Sequence, residues 1–291
     1  MDVSGKTKIF GLLGFPVEHT LSPAMHNAAF KAMGLDMCYL PFKVSPQDLL
    51  HAVRAVRALN LTGVNITVPH KEKVISLLDE VDKEALFIGA VNTIVNKDGK
   101  LTGYNTDGRG FMQSLSEAGI QVRGKKILII GAGGASRAIS YYLSEKAGKL
   151  FLFDIDKKKA EKLIRDLRKI RKNVFPFKFQ PSTLPAGRQA STFKSEFRKL
   201  DIIINASPLG LKKGDPLPVN LKNLQKKHIV CDLIYRKTLL IDRASTKGCK
   251  VLNGLGMLLW QGVFAFELWT GQKPPVEVMR KALKSGLTKA G

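Results

Sequence analysis

Hydrophobic and polar positions along this chain follow two periods in turn. Short apolar runs bounded by turn residues predict buried strands over 8–15, 38–44, 63–68, 126–130, 150–153, 202–204, 229–232 and 251–253. Between them, apolar residues spaced three and four apart predict helices over 23–33, 46–59, 71–78, 106–118 and 135–146. In the first of these, Met25, Ala28, Ala29 and Ala32 share one face. Segments 91–95 and 100–103 flank Lys97-Asp98-Gly99, a hairpin signal. Two helices, 257–269 and 276–285, close the chain. Strands alternating with helices predict an α/β protein whose parallel sheet is covered on both faces. The range 175–198 carries three prolines and no period, and reads as an irregular connection with room for one short strand.

Composition narrows the class. With 291 residues, 44% hydrophobic, the chain is neither collagen-like nor disordered, and it can bury one large core or two modest ones. Its most apolar window, 255–269, is interrupted by Gln261 and Glu267, short of the roughly 18 apolar residues of a membrane helix. The first residues lack the pattern of a signal peptide. Cys38, Cys231 and Cys249 are scattered and form no C-x-x-C pair, so neither a disulfide framework nor a zinc site is expected. A cytoplasmic setting follows.

Charge adds a second question. Lys plus Arg number 47 against 24 acidic residues, a net +23. Nucleic-acid binding is one reading. A solvated basic surface is the other and is favoured, because net charge governs solubility and steering rather than fold. Much of the excess lies in 157–199, which opens with an amphipathic helix over 157–172 carrying Ala160, Leu163, Ile164, Leu167 and Ile170 on its apolar face.

One motif carries chemistry by itself. The strand 126–130 runs into Gly131-Ala132-Gly133-Gly134-Ala135-Ser136, and a helix follows. Glycines permit a tight turn and a close approach of backbone to a pyrophosphate, which the helix N-terminus then attracts. About 20 residues further on, such folds carry an acid for the adenosine ribose hydroxyls. Here the strand 150–153 ends in Asp154-Ile155-Asp156, which favours NAD, while Lys157, Lys158 and Lys159 could reach a 2′-phosphate. Asp156 reads as a helix N-cap.

Seven motifs coincide in order: 18–27 (EHTLSPAMHN), 63–71 (GVNITVPHK), 89–93 (GAVNT), 103–108 (GYNTDG), the glycine turn, 205–210 (NASPLG) and 253–258 (NGLGML). Together they closely resemble the shikimate dehydrogenase family, including its quinate/shikimate branch. The resemblance covers nearly the whole chain. It implies two α/β domains around a cleft: a substrate-binding and catalytic domain over 1–107, a Rossmann-like NAD(P)-binding domain over 108–252, and C-terminal helices over 253–291 that return to the first. It implies reversible hydride transfer between a nicotinamide and the ring carbon of 3-dehydroshikimate that becomes the shikimate hydroxyl, without a metal. It suits a monomer or homodimer acting on a small molecule, and leaves nucleic acid and membrane without a role.

The resemblance also assigns residues. Lys71 matches the acid/base lysine and Asp107 its carboxylate partner. Asn65, Thr67, Asn92 and Gln261 match ring-hydroxyl contacts, Thr20 and Ser22 a carboxylate grip, and Tyr235 a tyrosine beside that carboxylate. The dinucleotide falls to Gly131, Ala132, Gly133, Gly134, Ala135, Asp154, Asn205, Ala206, Ser207, Leu233 and Gly254. His19 and His26 read as packing and turn residues. Three departures stand out. Thr20 replaces the usual serine. Thr238 stands closer to Tyr235 than the family's threonine does. Asp154-Ile155-Asp156 replaces the Asn-Arg-Thr of NADP users. The cofactor is NADP(H) or NAD(H), with the third departure favouring NAD.

Overall fold

The computed structural model describes residues 3–177, 195–212 and 214–290. Two compact units emerge, one of residues 1–110 and 257–291, the other of 111–256. The sequence reading had put the boundaries at 107/108 and 252/253.

The first unit is built on a six-stranded sheet: β1 (Lys8–Gly14), β2 (Met37–Lys43), β3 (Gly63–Ile66), β4 (Glu80–Val81), β5 (Thr93–Lys97) and β6 (Lys100–Tyr104), in the order β2-β1-β3-β5-β6-β4. This sheet is mixed rather than parallel: the Asp98-Gly99 turn, with φ of +53° and +85°, folds β5 and β6 into an antiparallel hairpin, and β5 also pairs antiparallel with β3. Its helices are α1 (Ser22–Ala32), α2 (Leu49–Ala58) and α3 (Lys83–Ile88), with a 3-10 turn at Lys73–Leu77 where a longer helix over 71–78 was expected. The helix α3 escaped the sequence reading; it is a six-residue turn capped by Asp82, too short to show a period. One core packs Val53 and Val56 of α2 against Val64, Ile66, Ile94 and Leu101 of the sheet, all nearly or fully buried.

In the second unit, β7 (Lys126–Ile130), β8 (Lys149–Phe153), β9 (Val174–Pro176), β10 (Ile202–Asn205), β11 (Ile229–Asp232) and β12 (Lys250–Leu252) form a wholly parallel sheet in the order β12-β11-β10-β7-β8-β9. This is a doubly wound order whose switch point lies between β7 and β10, where ligands of such sheets sit. Strands buried on both faces must be apolar throughout, and Ile127, Leu128, Ile129, Ile202, Ile203 and Ile204 are all fully buried. The helices are α4 (Asp107–Glu117), which starts in the first unit, α5 (Gly134–Lys146), α6 (Lys157–Arg168) and α7 (Leu239–Thr246). The chain ends with α8 (Leu255–Thr270) and α9 (Val276–Ala290).

The basic helix buries Ala160, Leu163, Ile164 and Leu167 as expected, but α6 stops at Arg168, so Ile170 lies beyond it and is 38% exposed. Asp156 caps this helix, accepting from the Lys158 and Lys159 backbone N–H groups. Arg137 of α5 holds Asp166 of α6 at 3.0 Å. A strand at Val174–Pro176 opens the range read as irregular, and most of the rest of that range lies outside the described residues.

Candidate active site

Local geometry first fixes Lys71. The segment after β3 is tied down on both sides of it: the His70 ring Nε2 lies 2.8 Å from the Val44 carbonyl, and the Lys71 carbonyl accepts from Val91 N–H at 2.8 Å. The side chain is thereby aimed at the start of α4, where Lys71 Nζ meets Asp107 Oδ2 at 2.5 Å. Only 14% of the lysine side chain and 4% of the aspartate side chain are exposed. Asp107 has a helix-start position but does not spend its carboxylate as a cap. Its second oxygen accepts from Asn92 Nδ2 at 2.9 Å, while Asn105 Oδ1 receives the Asp107 N–H.

Asn92 is the hub. Thr106 N–H donates to its Oδ1 at 2.8 Å, and its Nδ2 also reaches Thr106 Oγ1 at 2.9 Å and Gln261 Oε1 at 3.4 Å. Gln261, a polar residue inside the apolar helix α8, has its Nε2 satisfied by the Leu258 carbonyl. Helix α8 is fastened by Thr106 Oγ1 on the Gln261 carbonyl, and a Cβ on Gly110 would lie 2.6 Å from the Gln261 backbone nitrogen, so a glycine is required for this approach. Asn65 joins through Nδ2, which donates to the Asn92 carbonyl at 3.1 Å. Lys71, Asp107, Asn92, Gln261 and Asn65 thus form one hydrogen-bonded cluster.

Thr20 and Ser22 lie where β1 leads into α1. Thr20 Oγ1 accepts from Ser22 N–H at 3.3 Å, and Ser22 is buried. Thr67 follows β3, half-buried, its N–H on the Leu13 carbonyl. A cation held beside a carboxylate, largely out of water, can stabilise a developing alkoxide and hand it a proton.

The second unit holds the other expected residues at the carboxyl ends of its strands. Gly131 has φ +110°, and a Cβ there would lie 2.6 Å from the Ala206 carbonyl oxygen. Gly133 is exposed, with nothing within 4 Å of an added Cβ, and it precedes α5 without a side-chain cap. Backbone N–H groups at a helix start with open space above suit a pyrophosphate. Ser136 Oγ bonds the Gly131 carbonyl at 2.6 Å, which explains a serine at the sixth motif position. Gly131→Ala is expected to cost the fold about 2–5 kcal/mol from strain and overlap. Gly133→Ala should leave stability within about 1 kcal/mol. Paired urea titrations check the contrast.

Asp154 lies against the turn: Oδ2 accepts Ala132 N–H at 2.7 Å and Oδ1 accepts Asp156 N–H at 2.8 Å. Asn205 organises the next turn, bonding the Leu209 carbonyl and taking both Ser207 N–H and Ser207 Oγ. Its Nδ2 also reaches Asp232 Oδ1 at 3.1 Å. Burial raises the Asp232 pKa, partly offset by hydrogen bonds from Thr238, Ile234 N–H and Asn205. Thr238, whose displaced position is one of the departures, both caps α7 and bonds Asp232 at 2.7 Å. Leu233 and Tyr235, after β11, meet the loop of Gly254, after β12. A Cβ on Gly254 would lie 2.0 Å from the Leu233 carbonyl oxygen, and Asn253 Nδ2 bonds the Tyr235 carbonyl. Burial raises the Tyr235 pKa. Ala135, the last residue of the expected phosphate turn, lies in the first turn of α5.

The sequence reading missed Tyr39, Thr93 and Thr106, all nearly or fully buried in the cluster of the first unit. Strand propensity accounts for Tyr39 and Thr93 equally well, and Thr106, like Thr93, falls inside a motif without a role of its own.

Comparison with known proteins agrees with this geometry. Residues 12–94 match the family described as "Shikimate dehydrogenase substrate binding domain", and residues 254–284 the "Shikimate 5'-dehydrogenase C-terminal domain". The shikimate dehydrogenase (NADP(+)) of Desulforamulus reducens is 44% identical over 99% of this chain and 98% of its own length. The chain belongs to the shikimate dehydrogenase family. A crystal structure of a shikimate dehydrogenase in complex with NADP+ superposes with a TM-score of 0.87 at 38% identity, covering 98% of each chain. The enzyme of this family from Listeria monocytogenes, in complex with shikimate and NAD, gives 0.83 at 37% identity, covering 97% of this chain and 98% of its own. Among the described residues no helix is long and apolar enough to cross a membrane.

Proposed function

We propose that this protein is a shikimate dehydrogenase, interconverting 3-dehydroshikimate and shikimate with a nicotinamide dinucleotide. The observation that supports it most is the buried Lys71–Asp107 pair held by Asn92. In reduction, Lys71 stands by the ketone oxygen, stabilises the negative charge that develops there and donates the proton. In oxidation it takes the proton back. Asp107 orients the ammonium and accepts from a ring hydroxyl. Asn92, whose amide is engaged by protein partners, fixes Asp107, and Gln261 and Asn65 complete the hydroxyl contacts. Thr20 and Ser22 grip the ring carboxylate, and Thr67 joins the ring-hydroxyl contacts.

The glycine turn fits the dinucleotide: an open surface at Gly133, an uncapped helix start, and a carboxylate at the end of β8. A nicotinamide dinucleotide held there would supply the hydride for reduction and accept it in oxidation. Asn205 and Ser207 shape the neighbouring turn, Leu233 the loop after β11 and Gly254 the one after β12. Asp154 supports NAD over NADP. Its carboxylate is pinned at the turn where ribose hydroxyls are read, and Ile155, 92% exposed, stands where NADP users carry arginine.

Initial rates of oxidation of shikimate and of quinate, each with NAD and NADP, test both readings. Shikimate turnover with kcat/KM at least about tenfold higher for NAD is expected, since one well-placed charged contact is worth about 1.5–3 kcal/mol. Asp154→Ala should shrink that ratio. Preference for quinate would move the chain to the quinate branch, and no turnover by folded protein would overturn the assignment.

A further inference from the structure

The hydrogen bonds behind the acid/base pair run in one direction, and the donor of each can be deduced. The Thr106 backbone N–H can only donate, so the Asn92 atom 2.8 Å away is Oδ1, and the end facing Asp107 is the amide nitrogen. The Asn92 backbone carbonyl can only accept, so the Asn65 atom 3.1 Å from it is Nδ2. The second hydrogen of that nitrogen goes to Thr93 Oγ1 at 3.1 Å. Thr93 has one hydroxyl hydrogen, and Asn92 Oδ1 lies 3.0 Å from it to accept. Asn65 Oδ1, left as an acceptor, takes the Tyr39 O–H at 2.8 Å.

We propose that Tyr39 and Thr93 are positioning residues: Tyr39 begins and Thr93 continues a directed chain, Tyr39 to Asn65 to Thr93 to Asn92 to Asp107, that fixes the hydroxyl-binding Asn65 against the acid/base end of the site. The inference rests on the activity proposed above. Neither residue touches solvent, both being 0% exposed, and neither belongs to the expected substrate contacts. Every link donates toward Asp107, the carboxylate that Lys71 also bonds, so the dipoles add in a buried, low-dielectric setting. The chain also dictates what Asn65 can offer a ligand. Both of its N–H hydrogens are spent, so only a lone pair on Oδ1 remains, and Asn65 serves as an acceptor for a ring hydroxyl.

Two substitutions at one position separate this role from packing. Thr93→Val keeps the shape and removes the hydroxyl, while Thr93→Ser keeps the hydroxyl and removes a methyl. With shikimate as variable substrate, Thr93→Val is expected to raise KM and to lower kcat/KM roughly tenfold, as for a lost buried hydrogen bond. The KM for the dinucleotide should not change, and Thr93→Ser should stay within about threefold of the parent, because its hydroxyl rescues the chain. Tyr39→Phe should reproduce the valine result and decides the matter if Thr93→Val fails to fold. Phe30→Leu, a buried change without a polar atom, should lower Tm and leave the shikimate KM alone. Valine matching the parent, or serine failing as badly as valine, overturns the positioning role while leaving the activity in place. A folded parent with no turnover of either acid overturns the activity, and this inference with it.

Discussion

Lys71→Met is expected to reduce kcat for shikimate oxidation by about 10³–10⁴-fold, since it removes both the group that moves the proton and the charge that stabilises the alkoxide. Methionine preserves most of the side chain's bulk, so the loss reports chemistry more than packing. The variant also strands a carboxylate that is only 4% exposed. Breaking a buried pair from one side costs about 3–5 kcal/mol, reduced here because 14% of the lysine side chain meets solvent. A destabilisation of about 1–3 kcal/mol is therefore expected. Adding Asp107→Asn to the same chain removes the stranded charge. Stability should partly return and activity should not. Single-turnover kinetics and urea titrations of the three variants read the two effects apart. A Lys71→Met enzyme within tenfold of the parent would remove the lysine from the reaction.

The second large effect is on stability, and its source is His26. The ring is fully buried, and neither nitrogen has a hydrogen-bond partner. It stacks on Tyr39, with centroids 4.5 Å apart and planes 16° apart, and has Phe30, Phe266 and Trp269 as further neighbours. Gly262 lies beside it too, a Cβ added there coming 3.4 Å from His26 Nε2. Burial therefore pushes its pKa down from 6.5 to about 3. The sign follows from proton counting. Below pH 6.5 the unfolded chain binds a proton that the folded chain refuses, so stability falls as pH falls, until the folded ring also titrates near pH 3. Over that window the loss approaches about 4–5 kcal/mol, at about 1.36 kcal/mol for each pH unit. Trp260 and Trp269, the two tryptophans of the chain, both lie in the first unit, so their fluorescence follows this unit's unfolding. Urea midpoints should drop steadily from pH 7 to pH 4. His26→Phe, which keeps an aromatic ring in the stack and removes two unsatisfied nitrogens, should flatten that slope. An unchanged slope in the variant would assign the acid sensitivity to other groups.

Much was legible before any coordinates. The isoleucine-rich runs of the second unit specify strands because a parallel sheet buried on both faces admits only apolar residues. The glycine turn announces itself because only glycine tolerates φ +110° with a carbonyl oxygen 2.6 Å from the missing Cβ. Asp156 could be read as a cap from its place before a helical period. Lys71, Asp107 and Asn92 were nameable because motif order, and not any one residue, marks them, and Gln261 because it is a polar residue inside an apolar run.

Tertiary structure decided the rest. The mixed first sheet depends on which strand the Asp98-Gly99 hairpin pairs with, and local sequence does not encode pairing. The short helix α3 and the early end of α6 are set by caps and packing, which outweigh propensity over one or two turns. Tyr39 carries no distinguishing local signal and Thr93 only its place in the 89–93 motif, since a buried strand residue looks the same whether its hydroxyl is idle or linked. Only the fold, by laying β2, β3 and β5 so that five side chains from distant parts of the chain touch in series, turns ordinary strand residues into a directed path ending on Asp107. Periodicity specifies which residues go inside; which buried polar atoms meet there is a property of three-dimensional register, and chemistry depends on that register.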